Sequence, residues 1–250
     1  MTVQRATIKI DYKSALKRLD SNINSKAKKV LMANLPVAEY RMVLDPYAYL
    51  TSRDAGAALF TTDYLIKHDK SLFHHSLNVG IFSVIIGHEL GIENYKTLFI
   101  GGLLHDIGKT LIPFSILYKP GKLNEKEFEV IKKHTLLGAH FLFKNGMLDP
   151  YILDIVRSHH IYYDGSGYPN SLNKKASNLA QIVTISDAFE AMCSKRVYSE
   201  EKTLEEARKE LIKEQGTQFN PDLIDVFLEK AAEFYPVTQV KRVFKKEDSK

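Results

Sequence analysis

Residues 103–109 read Leu103-Leu-His-Asp-Ile-Gly-Lys109, a histidine and an aspartate side by side at the end of an apolar, glycine-rich stretch that starts near Leu98. The segments on either side set the fold class. Upstream, Leu72, His75, Val79, Phe82, Ile86 and Leu90 recur at three- and four-residue spacing, the period of a helix face, with Gly91 placed as a C-cap. Asn94 can open the next helix, which carries Leu98 into the His-Asp pair and is expected to end at Gly108. Downstream, Asn124 with Glu127 forms a capping-box pattern for a helix through Phe128, Ile131, His134 and Phe141. Another helix is expected from Pro150 to about His160. Tyr163 to Pro169 holds Gly165 and Gly167 and reads as a loop. Leu179 to about Lys195 reads as a buried helix, although residues 181–185 alone would suit a strand. Thr203 with Glu206 opens a helix over Leu204–Ile212, and Pro221 stands early in a last one through Phe227. From about Leu72 onward the chain is expected to be all-α.

Residues 1–68 differ. The stretch from Thr2 to Tyr12 alternates polar and apolar residues like a short strand, and a basic run from Lys13 to Lys29 follows. Pro36, Pro46 and several tyrosines come next, without a chemical motif. The expected organisation is an N-terminal region at 1–68 of mixed structure and regulatory candidacy, a main domain at 69–240 and a charged tail at 241–250. The 250 residues carry a formal charge of +5, a weak preference for anionic ligands. The single cysteine, Cys193, excludes an internal disulfide framework. The N-terminus lacks the apolar stretch of a signal peptide, and the runs Ile81–Ile86 and Leu98–Leu104 are too short to span a membrane. The expected location is the cytoplasm.

Five of the nine histidines, His75, His105, His134, His159 and His160, occur with Asp106 and Asp187 in settings that are otherwise apolar. Imidazole and carboxylate suit first-row divalent metals, and a carboxylate can bridge two of them. Two ions about 3.5–4 Å apart can activate water and neutralise a phosphodiester. Taken singly, each residue has a plainer reading. A histidine in an apolar helix is more often a hydrogen-bonded core residue, which is how His68, His74, His88 and His140 are read, and a buried aspartate can cap a helix. The combination weighs more, because burying so many polar groups without a metal is costly.

In order along the chain stand His75-Ser-Leu-Asn-Val79, the 103–109 segment, Ile131-Lys-Lys-His134 with Gly138, His159-His160, Asp164-Gly-Ser-Gly-Tyr-Pro169, Ser186-Asp-Ala188 and Arg196-Val-Tyr198. With both the HDIGK and DGSGYP strings intact, the sequence resembles the HD-GYP family of bacterial cyclic di-GMP phosphodiesterases over about residues 72–235. The resemblance implies an HD-type helical bundle and a binuclear centre of iron or manganese. His75, His105, Asp106 and Asp187 would hold one ion. Asp106 would bridge to a second, held by His134, His159 and His160. Lys109 would meet a non-bridging phosphate oxygen, and Gly167, Tyr168 and Pro169 would border the substrate. Arg196 would reach a phosphate or pair with Glu190 or Glu200 on the surface. The implied partners are cyclic di-GMP, a diguanylate cyclase (GGDEF) domain meeting the Gly-Tyr-Pro loop, and a second copy in a homodimer.

The sequence departs from the family at three places. Ile161 follows His160 where the family commonly has glutamate, and Ser199 replaces an arginine. Ser71 stands where some members place a glutamate for a third metal, which favours two ions. A non-hydrolysing member that binds nucleotide or protein, and a hydrolase of another cyclic dinucleotide, are the competing readings. A nucleic-acid polymer is not expected, because the basic residues are dispersed.

Overall fold

The computed structural model describes residues 12–170, 175–194 and 201–239. Arg196, Ser199, the charged tail and all of the expected N-terminal strand except Tyr12 lie outside them.

Residues 12–68, expected to be mixed, are helical: α1 (Tyr12–Asn22), α2 (Ser25–Asn34), α3 (Val37–Leu44) and α4 (Ser52–His68). The two prolines start structure instead of breaking it. Pro36 is the N-cap of α3, and Pro46 takes the first position of a 3-10 turn at Pro46–Tyr49. Leu19, Leu31 and Leu65 from these helices, with Ile23 between α1 and α2, share one core with Phe73, Phe82, Phe99, Phe189 and Phe227. Among the described residues there is no strand, only two isolated bridges.

Helix α5 (Lys70–Glu89) is the axis of this core. Asp69 caps it by accepting the Leu72 N–H at 2.9 Å, and fourteen of its residues are buried, so it meets neighbours on nearly every side. Helix α6 (Tyr95–Leu104) crosses it where two glycines touch: a methyl on Gly102 would lie 2.7 Å from the Gly80 Cα. That close crossing brings His75, one turn and a half before Gly80, beside His105, which follows the end of α6.

Two boundaries differ from the sequence expectation. Helix α6 stops at Leu104 instead of Gly108, and a 3-10 turn follows at Ile107–Leu111. The reason is tertiary: a side chain on Gly108 would collide with the His134 carbonyl, so this turn packs directly on the backbone of the neighbouring helix. The helix expected from Asn124 through Phe141 is divided into α8 (Glu125–Lys132) and α9 (His134–Lys144), with α7 (Phe114–Leu117) before them. At the break the Lys133 N–H bonds the Val130 carbonyl at 3.2 Å, a tight turn, and His134 Nδ1 bonds the Ile131 carbonyl at 2.8 Å. Helices α10 (Pro150–Ser158), α11 (Asn178–Cys193), α12 (Leu204–Lys213) and α13 (Pro221–Thr238) complete the bundle. Both expected capping boxes, at Asn124 and Thr203, are formed.

Candidate metal centre

Helix ends supply most of the site. Successive side chains on a continuous helix diverge by about 100°. The two adjacent pairs, His105-Asp106 and His159-His160, can serve one site because α6 ends at Leu104 and α10 at Ser158. His134 opens α9, while His75 and Asp187 come from the buried lengths of α5 and α11.

The structure brings all seven residues together around Asp106, which is fully buried. Its Oδ2 lies 3.5 Å from His75 Nε2 and 3.3 Å from His105 Nε2. Its Oδ1 lies 3.2 Å from His134 Nε2 and 3.9 Å from His159 Nε2. Each oxygen therefore faces a different pair of imidazoles. Asp187 Oδ1 joins the first group, 3.0 Å from His75 Nε2 and 3.8 Å from His105 Nε2. His160 joins the second: ligating atoms of Asp106, His134, His159 and His160 lie within 4.8 Å of one another. His68, His74, His88 and His140 belong to neither group.

Hydrogen bonds at the far side of each ring set its orientation. Nδ1 of His105 bonds the Gly102 carbonyl at 2.7 Å, and Nδ1 of His159 bonds the Val156 carbonyl at 3.0 Å. His134 does the same with Ile131. A carbonyl only accepts, so Nδ1 carries the proton and Nε2 presents a lone pair to the centre, the form that binds a metal. His105 Nε2 and Asp106 Oδ1 are buried without a hydrogen-bond partner. Orphaned atoms of this kind, converging from imidazole and carboxylate, fit divalent cations that would complete their coordination.

The charges are strongly coupled. Burial opposes ionisation of Asp106 and Asp187. Lys109 and His105 around the first, and His75 and His105 around the second, outweigh it and hold both carboxyls well below their usual range. Burial alone would discharge His75, but Glu190, Asp106 and Asp187 raise it to about 10. Burial and the neighbouring His134 push His160 down to about 3, and burial with His160 and His105 lowers His159. Lys109 Nζ sits 2.5 Å from Asp106 Oδ2, so it is directed at the centre instead of being a solvated helix-end cation.

Glu190 is the residue that sequence reasoning misplaced. Considered in sequence only as one of two alternative surface partners for Arg196, beside Glu200, it is fully buried, with Oε2 2.5 Å from His75 Nδ1. The signal was its spacing: three residues after Asp187 puts it on the same face of a buried helix. Arg196 itself is outside the described residues.

The 164–169 loop closes one side. Gly167 has φ +86°, and a Cβ there would strike the His160 carbonyl. The Tyr168 N–H bonds that same carbonyl at 2.9 Å, and the Tyr168 ring packs 4.6 Å from the ring of His160. Burial, with Asp106 and Asp187, raises the Tyr168 hydroxyl pKa. Ile161, the departure from the family, bridges Gly167 and packs with Ala176 and Ala180. An apolar contact thus occupies the position of the family's acid.

A family model described as HD domain matches residues 67–223, and that span holds the seven converging residues and the Gly-Tyr-Pro loop. The chain belongs to the HD-GYP family. This HD-GYP chain is 37% identical over 185 residues to a cyclic di-GMP phosphodiesterase of Thermotoga maritima, covering 72% of this chain and 50% of that one. It is 35% identical over 167 residues to a 3′3′-cGAMP-specific phosphodiesterase 2 of Vibrio cholerae, covering 65% of this chain and 32% of that one. The chain thus spans half or less of the length of these curated relatives. Among solved structures, the HD domain of Listeria monocytogenes phosphodiesterase PgpH in complex with cyclic-di-AMP superposes with a TM-score of 0.52 at 21% identity, covering 73% of this chain and 98% of that one. Bd1817, an HDG"Y"P protein from Bdellovibrio bacteriovorus, gives 0.56 at 20% identity, over 90% of this chain and 74% of that one. Both likenesses support the all-α HD fold. No helix among the described residues is long and apolar enough to cross a membrane.

Proposed function

We propose that this chain is a metal-dependent phosphodiesterase that hydrolyses a cyclic dinucleotide, with cyclic di-GMP as the first candidate and pGpG or GMP as product. The observation that carries this reading is Asp106, whose two oxygens face separate imidazole groups. His75, His105, Asp106 and Asp187 would hold one divalent ion, and Asp106, His134, His159 and His160 a second, iron or manganese by ligand type. Bound there, two ions would supply Lewis acidity for a phosphodiester and acidify water.

The remaining work falls to the chain. Lys109 holds its ammonium beside Asp106, poised to meet a non-bridging phosphate oxygen as charge develops. Tyr168 shields His160 and also lines a cleft of about 320 Å³ with Ile161, Ser166, Pro169 and Lys175. That cleft adjoins the centre through Tyr168 and could take part of a nucleotide, with Lys175 offering a further cation. A diguanylate cyclase partner would meet the loop at Asp164, Gly165 and Ser166, its exposed tip, because Tyr168 turns inward.

The test is turnover. Protein loaded anaerobically with ferrous iron or manganese should convert cyclic di-GMP to linear product, and Asp106→Ala should not. A panel with 3′3′-cGAMP and cyclic di-AMP ranks the substrates. No product from any of the three with either metal would reject the reading and favour a binding role.

A further inference from the structure

The two groups of ligands are anchored differently. On one side, His134 and His159 lean on backbone carbonyls. On the other, His105 also leans on a carbonyl, that of Gly102, but His75 leans on a carboxylate: Glu190 Oε2 accepts from Nδ1 at 2.5 Å. Glu190 is itself held. Its Oε1 accepts from Asn78 Nδ2 at 3.1 Å and from Ser194 Oγ at 2.7 Å, and the Ser194 N–H bonds the Glu190 carbonyl at 2.9 Å. All four side chains are buried. A carboxylate kept in the core needs such donors to be tolerated, and here each has its place.

We propose that Glu190 is the positioning residue of the centre and makes the His75–His105–Asp106–Asp187 half the tighter of the two metal sites. This rests on the binuclear reading above. Three physical effects point the same way. The bond from Nδ1 fixes the His75 ring, so Nε2 faces the centre without a rotamer search and need only lose its proton to ligate. A carboxylate acceptor makes the imidazole a stronger donor than a carbonyl does. And three carboxylates, Asp106, Asp187 and Glu190, stand around His75, with the Lys109 ammonium offsetting part of their charge, whereas the other half meets only the Oδ1 side of Asp106. The loop half should therefore load second and lose its ion first.

Anaerobic titration of the metal-free full chain with Mn²⁺, followed by calorimetry and metal content after desalting, tests this. The wild type should bind two ions in unequal steps and keep one. In Glu190→Gln the tighter step should weaken by about 10–100-fold while the weaker step stays. The amide is close in shape but would place an N–H against a donor or force the wrong tautomer on His75. Glu190→Asp, which keeps the charge, should recover part of the loss. His134→Ala leaves the His75 half alone, so adding Glu190→Gln to it reads that half directly. Should Glu190→Gln fail to fold, Asn78→Ala and Ser194→Ala loosen the same carboxylate and should weaken the same step by less. A merely structural Glu190 would lower thermal stability without moving one step selectively. Two equal steps in the wild type, or a tight step unmoved in Glu190→Gln, would overturn the inference and leave the binuclear centre standing. No Mn²⁺ bound to wild type would reject both.

Discussion

The two halves of the centre share Asp106 but differ in their other side chains and in their settings. His75 and Asp187 project from the buried lengths of α5 and α11, and His105 follows a helix crossing closed by touching glycines. His134, His159 and His160 stand at helix ends, with the last against the Tyr168 ring. One half is rich in carboxylates and braced by the core, by Glu190 and by the Gly102 carbonyl; the other is rich in imidazoles and braced by backbone carbonyls and a loop. The proton balance follows: His75 is raised to about 10 by its carboxylates, while burial and the neighbouring His134 lower His160 to about 3. Ligand type and the groups behind the ligands therefore differ together between the halves.

Removing what the halves share should have the largest effect. Asp106→Ala is expected to abolish binding of both ions and cut turnover by at least about a thousandfold, measured by metal content and product formation. A variant that kept two ions would break the bridging assignment. Lys109→Ala should leave both ions in place and lower kcat by about 10²–10³-fold, because it removes charge stabilisation and no ligand. Loss of an ion together with activity would make Lys109 structural.

The loop half can be probed alone with Gly167→Ala. The residue would hold φ +86° with a methyl against the His160 carbonyl, at a cost of about 1–3 kcal/mol. Thermal unfolding should register that cost, and the ion on the His134 side should be the one weakened. The smallest effect is on the pH profile of the metal-free protein. His159 and His160 fold with lowered values, so their contribution is present above about 6.5 and is lost as pH falls below it, for His160 down to about 3. His75 folds with a raised value, so its contribution is full below 6.5 and is lost as pH rises through about 10. The melting temperature in chelator should therefore decline on both sides of about pH 6.5. His160→Ala should flatten the acid side alone, and an unchanged acid limb would contradict the buried neutral state of that ring.

Much of the fold was legible because it is written locally. The apolar spacing from Leu72 to Leu90 produced α5, the Asn124 and Thr203 boxes produced the starts of α8 and α12, and Gly167 stands at a positive φ in the expected loop. Residues 12–68 were not legible as helices, since α1–α3 are short and their prolines sit at starts that a pattern search reads as breaks. Lys133 was unreadable as a break because no glycine or proline marks it, and the close approach of Gly108 to the His134 carbonyl beside it comes from another part of the chain.

By itself, the sequence determined which seven side chains could ligate, that a loop of glycines must stand beside His160, and that the chain is an HD-GYP member. Those are statements about residue type, short spacing and order. Only the tertiary structure decided that the two oxygens of Asp106 face different imidazoles, that Ile161 is an apolar strut, and that Glu190 lies buried behind His75 instead of on the surface. His75 and Glu190 are 115 residues apart in the chain, and no local propensity encodes a hydrogen bond across that distance. The packing of α5 against α11 brings them together, and with them the difference between the two halves.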